Sequence, residues 1–89
     1  MKDLKKLRVK IDKLDDELLE ILSKRIEIVR EIGKMKRKNH LPLFDKKRWE
    51  EILKSKLSKS KSLNLSEKFI EKLYAVIHEH SLEIEKEEK

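Results

Sequence analysis

The sequence has 89 residues, 47% of them charged, and it contains one Gly, one Pro and no Cys. This length allows one domain with a modest core, and the scarcity of Gly and Pro argues against sheets and tight turns. The lack of Cys excludes disulfides and thiolate metal sites, and no uncharged run is long enough to span a membrane. The first ten residues also lack the apolar stretch of a signal peptide, so we expect a soluble, cytoplasmic protein.

The net charge of +6 suggests an anionic partner. A basic helical dimer that binds nucleic acid is one alternative, but that class needs basic residues clustered on one face. Here Lys and Arg are dispersed among Glu and Asp, which is typical of solvated helix faces, so we expect no nucleic-acid partner. The abundance of Lys and Glu, with no Gln and only two Asn, resembles the composition of proteins from hot environments.

The first predicted helix carries one apolar stripe. Its members are spaced by alternating steps of three and four residues, the pattern of a helix that packs lengthwise on another helix: Leu4, Leu7, Ile11, Leu14, Leu18, Ile21, Ile28, Ile32 and Met35. Nothing interrupts the stripe before Asn39, His40 and Pro42, so we expect a helix over about residues 3–38. Gly33 lies inside it and is expected to permit close helix packing.

The length of this helix predicts a dimer. A helix of 35 residues is about 52 Å long, whereas a compact domain of this size has a radius of gyration of about 12 Å. The first helix therefore extends beyond any globule that its own chain could form. A second copy of the chain is the simplest partner for the exposed part of its stripe.

Two shorter helices are predicted to follow. Asp45 is a suitable N-cap for a second helix over about residues 45–58, and Ser66 is a suitable N-cap for a third over about 66–86. We expect the polar stretch 58–64 to be a loop with a frayed helix end. The predicted fold is all-α, with three helices in a single domain over residues 1–89.

Arg25 occupies a position of the stripe where an apolar residue is expected. A buried guanidinium is costly unless an anion pairs with it, so either a structural salt bridge or a ligand carboxylate is implied. Lys36 lies eleven residues on and returns to within about 20° of Arg25 around the helix, so both could face one pocket. Arg8 lies about 100° away, so we expect it to reach such a pocket only in an antiparallel partner chain.

Three further polar residues are candidates for the same pocket. Ser81 and Glu85 extend the apolar face of the third helix at steps of four residues. Taken alone, Ser81 is more typical of a small packing residue and Glu85 of a surface charge. Arg48, in the first turn of the second helix, would likewise usually be a surface residue.

Four segments in order carry a family resemblance: LRVKIDKLDDELLEILSKR, EIGKMK, HLPLFDKKR and VIHEHSLEIE. With these spacings the chain resembles the all-helical (AroQ-class) chorismate mutases over nearly its whole length. The resemblance implies an intertwined homodimer with two identical sites, each completed by Arg8 of the partner chain. It also implies that the dicarboxylate chorismate is bound by Arg8, Arg25, Lys36, Asp45, Arg48, Ser81 and Glu85.

The implied reaction rearranges chorismate to prephenate in phenylalanine and tyrosine biosynthesis, with no cofactor and no metal. Arg8 and Arg25 are expected to clamp the two carboxylates and fold the substrate into a reactive conformer. Lys36 is expected to donate to the ether oxygen as negative charge develops there, with Glu85 as a second donor if it is protonated. The expected catalytic residues are therefore Lys36, Glu85, Arg25 and Arg8.

Two positions depart from the family pattern. Trp49 stands where the family usually has a Glu that binds the ring hydroxyl of the substrate, although the backbone near Asp45 could still take part. Glu85 stands where many members have Gln, although some members have Glu. The first departure leaves open an isochorismate pyruvate-lyase-like reaction on the same fold, as an alternative to the mutase.

Overall fold

The computed structural model describes residues 1–88 and contains three α-helices there, with no strand. Helix α1 spans Lys2–Lys38, α2 spans Lys46–Ser62 and α3 spans Glu67–Glu87. The all-helical class predicted from the sequence is confirmed. No helix among these residues is both long enough and apolar enough to cross a membrane.

A Schellman motif ends α1. The Leu41 N–H donates to the Lys36 carbonyl at 2.8 Å, and the His40 N–H donates to the Arg37 carbonyl at 3.2 Å. This pattern needs a residue in the left-handed region after the cap, and His40 takes that role with a φ of 54°. Pro42 follows and cannot continue the helix.

Both predicted N-caps are confirmed. The Asp45 carboxylate accepts from the Arg48 N–H at 3.1 Å, and the Ser66 hydroxyl accepts from the Phe69 N–H at 3.2 Å. Each satisfies one of the backbone donors that the first helical turn leaves free.

The expected loop over residues 58–64 was wrong, because α2 continues to Ser62. Residues 58–62 contain no Gly or Pro, and Ser60, at 2% exposure, is buried with its hydroxyl donating to the Leu57 carbonyl. A second Schellman motif then closes the helix: Asn64 has a φ of 57°, and the Leu65 N–H donates to the Ser60 carbonyl at 2.9 Å. Residues 58–62 are therefore helical although most of them are polar, because Ser60 is buried.

Helix α3 lies at the centre of the chain and packs against both α1 and α2. Among residues 1–88, the buried apolar side chains are those of Val29, Ile70 and Ile84. Gly33 is also buried, in the half of α1 that packs on α3. So few buried side chains make a small core for a chain of this length.

The first half of α1 has almost no cover from its own chain. Every residue from 1 to 21 is exposed, and the stripe members Leu7, Leu14 and Ile21 are 57%, 57% and 61% exposed. The chain measures 57 Å along its longest axis, with a radius of gyration of 16.5 Å instead of the value of about 12 Å for a compact domain. The long apolar stripe predicted from the sequence is present, and its first half is not covered by the rest of the chain.

Candidate active site

A cavity of about 240 Å³ lies where the second half of α1, the start of α2 and the end of α3 meet. Six of the seven predicted site residues line it: Arg25, Lys36, Asp45, Arg48, Ser81 and Glu85. Apolar side chains, including Val29, Ile32 and Ile52, form the rest of the wall. The long helix thus brings Arg25 and Lys36 to one place, as their angular spacing predicted.

Arg25 is held by Ser81. Its guanidinium donates to the Ser81 hydroxyl at 2.7 Å, and that hydroxyl donates in turn to the Ile77 carbonyl at 2.8 Å. Ser81 is buried, so its hydroxyl is fixed by two partners. No salt bridge to Arg25 is found within residues 1–88. The guanidinium therefore keeps N–H donors for an anion in the cavity.

Lys36 reaches two oxygens from different parts of the chain. Its Nζ donates to the Leu43 carbonyl at 2.6 Å and lies 2.6 Å from Oε1 of Glu85. The Glu85 contact is close enough for an ion pair, although Nζ and Oε1 are not aligned as a hydrogen bond. The two charges attract at this distance whatever their alignment.

Glu85 is the buried acid of the cavity, with its side chain 8% exposed. An isolated carboxylate at such a position would be costly, and Lys36 reduces that cost. Glu85 lies four residues after Ser81, so α3 presents both side chains on one face. The surface role that the sequence favours for Glu85 alone is excluded by this burial.

Asp45 and Arg48 stand at the start of α2. The Asp45 carboxylate is used as the N-cap. The Arg48 side chain is 66% exposed and lies 3.7 Å from Glu51, one turn further along the helix. A surface pair of this kind contributes little to stability, so Arg48 is free to turn towards a ligand.

Arg8 does not reach the cavity of its own chain. It lies on the exposed half of α1, seventeen residues before Arg25, which is about 25 Å along the helix axis. The other six predicted residues are brought together, and Arg8 is not.

His78 also lines the cavity, and sequence reasoning missed it. Its ring stacks on Trp49 with centroids 4.3 Å apart and meets the ring of Phe44 edge-on at 5.8 Å. The missed signal was spacing: His78 lies three residues before Ser81 and seven before Glu85, which places all three on one helix face. Trp49 is not among the cavity residues, although its ring stacks on that of His78.

The surroundings of His78 favour its neutral form. Burial lowers the pKa of the imidazole below its ordinary value of 6.5. The negative charge of Glu85 raises this pKa in part, while the positive charges of Lys36 and Arg25 lower it further. His78 is therefore mostly neutral at pH 7, and a neutral imidazole has one N–H donor and one nitrogen acceptor.

The charges of the cavity suit an anionic ligand. Arg25, Lys36 and Arg48 line the cavity together with only two carboxylates, those of Glu85 and Asp45, and Asp45 is already committed to its helix cap. Glu51, the partner of Arg48, lies outside this lining. Within residues 1–88 no group of three or more His, Cys, Asp or Glu side chains gathers as a metal site would require. Arginine matches the planar geometry of a carboxylate, so a small acid is the class of ligand that these side chains fit best.

The chain matches the family model described as chorismate mutase type II over residues 7–86. It is 35% identical to T-protein of Haemophilus influenzae over 71 residues, which cover 80% of this chain and 19% of that protein. It is 36% identical to the bifunctional chorismate mutase/prephenate dehydratase of Escherichia coli K12 over 76 residues, which cover 85% of this chain and 20% of that protein.

The enzyme of the same description from Aquifex aeolicus is 36% identical over 63 residues, which cover 71% of this chain and 17% of that protein. The chain thus spans about a fifth of the length of the curated relatives that it matches.

Proposed function

The chain belongs to the chorismate mutase type II family, and we propose that it converts chorismate to prephenate. The observation that carries this proposal is the cavity in which Arg25, Lys36 and Arg48 face the single buried acid Glu85. Chorismate has two carboxylates and an ether oxygen, so it supplies the negative charge that balances these cations. The reaction is a step in the biosynthesis of phenylalanine and tyrosine.

The rearrangement breaks one C–O bond and forms one C–C bond within a single molecule, with no proton transfer. The enzyme must fold the enolpyruvyl arm of the substrate over its ring, which holding both carboxylates achieves. We assign one carboxylate to Arg25, which Ser81 orients. Arg48 is free to assist because its present contact with Glu51 is exposed and weak.

Lys36 is the proposed donor to the ether oxygen. Negative charge builds on this oxygen as the C–O bond breaks, so a fixed donor stabilises the transition state more than the substrate. An ammonium has three N–H donors. Leu43 uses one and Glu85 at most one, so a donor remains for the substrate.

We propose that two chains form an intertwined homodimer and that Arg8 of each chain completes the site of the other. The exposed apolar stripe of α1 supports this, because its first half has no cover from its own chain. Burial of such a stripe is the main driving force for association. The position of Arg8, about 25 Å from Arg25 along one helix, fits a role in a second chain that runs antiparallel.

Incubation of the purified chain with chorismate tests the activity, with prephenate followed by chromatography. We expect turnover that Lys36→Ala lowers by about a hundredfold, the usual effect of removing one transition-state donor. Lys38→Ala is the matched control, because Lys38 is exposed on the same helical turn. A folded wild-type protein that leaves chorismate unchanged would contradict the proposal.

Sedimentation equilibrium over a range of concentrations tests the dimer. We expect twice the chain mass, and we expect helix content to be lost on dilution below the dissociation constant. Leu14→Lys should favour dissociation, because it places a charge on the apolar stripe. Lys13→Ala, at the adjacent exposed residue, should leave the mass unchanged. A stable helical monomer at micromolar concentration would exclude the intertwined arrangement.

A further inference from the structure

His78 has hydrogen-bonding capacity that the protein does not use. It lines the cavity beside Ser81 and Glu85, yet neither ring nitrogen takes part in a hydrogen bond within residues 1–88. The ring instead contacts the aromatic rings of Trp49 and Phe44. A half-buried imidazole without a polar partner in a ligand cavity is available to the ligand.

The other polar groups of the cavity are already assigned. The guanidiniums suit the substrate carboxylates and Lys36 suits the ether oxygen. The Ser81 hydroxyl already accepts from Arg25 and donates to Ile77. The Asp45 carboxylate caps α2, and the Glu85 carboxylate lies against the Lys36 ammonium. Chorismate has one further polar group, the hydroxyl on its ring, which both donates and accepts.

We propose that His78 binds the ring hydroxyl of the substrate and so determines the orientation of the ring in the cavity. This assignment rests on the proposed mutase function. A neutral imidazole has one N–H donor and one nitrogen acceptor, so it can either donate a hydrogen bond to the hydroxyl or accept one from it.

The aromatic neighbours of His78 restrict the plane of its ring. Trp49 covers one face with an interplanar angle of 29°, and Phe44 meets the ring at 72°. Trp49 stands where the family pattern has a hydroxyl-binding Glu, and it lies outside the cavity wall. In this chain Trp49 packs against His78, and the polar contact with the hydroxyl is made by a residue of α3 instead of a residue of α2.

A comparison of two substrates tests the assignment: chorismate, and its analogue in which hydrogen replaces the ring hydroxyl. His78→Phe keeps an aromatic ring against Trp49 but removes both nitrogens. We expect this change to lower kcat/KM for chorismate about tenfold or more, mainly through KM, because a hydroxyl partner is lost. For the analogue, the wild type and His78→Phe should agree within about twofold.

Two further variants make the outcome decisive. His78→Gln keeps a donor and an acceptor and should retain part of the preference for the hydroxyl, even if His78→Phe folds poorly. His80→Phe is the matched control, since His80 is exposed and lies beside Glu83; it should leave both substrates unaffected.

Equal losses on the two substrates in both His78 variants would overturn the assignment, because His78 would then act only in packing. A folded wild type that turns over neither substrate would overturn the proposed function itself, and the assignment with it. An active wild type whose preference for the hydroxyl disappears in His78→Phe supports both.

Discussion

Gly33 of α1 lies directly against the backbone of Glu85 in α3. A Cβ on residue 33 would stand 2.8 Å from the Glu85 Cα and 3.0 Å from its carbonyl oxygen. Because these are backbone atoms, the helices themselves would have to separate to admit it. The glycine thus allows the approach that brings the Glu85 carboxylate within 2.6 Å of the Lys36 ammonium.

Gly33→Ala should therefore destabilise the protein and lower its activity together. Overpacking costs about 1–3 kcal/mol, offset by the gain of about 1 kcal/mol when Ala replaces Gly in a helix. Denaturant unfolding and turnover of chorismate measure the two effects. Glu31→Ala changes an exposed residue of the same helix and should change neither. A Gly33→Ala protein with full activity would show that the spacing of α1 and α3 does not matter to the site.

Arg8→Ala and Arg25→Ala should each remove most of the activity while the helices remain intact. Co-refolding the two variants in equal amounts should restore about a quarter of wild-type activity, because half of the dimers are mixed and each mixed dimer has one complete site. Refolding each variant alone is the control. Failure of the mixture to recover would place Arg8 outside the partner's site.

Glu85→Gln should change how activity depends on pH. A carboxylate has no proton to give the ether oxygen, whereas an amide donates at every pH. Glu85→Gln should therefore stay more active than the wild type at high pH, where the amide donates and a carboxylate does not. Profiles from about pH 4 to pH 9 measure this difference. Superimposable profiles would remove Glu85 from the list of donors.

His78 should make folding stability depend on pH. Burial lowers the pKa of His78 in the folded chain below 6.5, so the unfolded chain binds the proton more readily. The free energy of unfolding should therefore fall as the pH drops through 6.5 towards the lowered pKa. Denaturant unfolding of His78→Phe between about pH 7 and pH 5 should show a smaller decline. His80→Phe should decline as the wild type does, and an unchanged slope in His78→Phe would contradict the prediction.

Most of the fold could be predicted because its signals are local. Caps such as Asp45 and Ser66 act within one turn, and the uninterrupted α1 allowed Arg25 and Lys36 to be placed by angle alone. The end of α2 could not be predicted, because it depends on the burial of Ser60 by the rest of the chain. His78 was missed because its contacts with Trp49 and Phe44 join residues far apart in sequence. Arg8 depends on a second chain and stays a prediction.

Lys36 takes part both in the motif that ends α1 and in the wall of the cavity. Its carbonyl accepts from the Leu41 N–H in the motif that closes α1, and its ammonium holds the Leu43 carbonyl. Any opening of this last turn moves the ammonium away from the cavity, so a ligand that binds the ammonium also opposes the opening. The Leu41 amide should therefore exchange more slowly with deuterium when the site is filled, and it reports occupancy from a position outside the cavity wall.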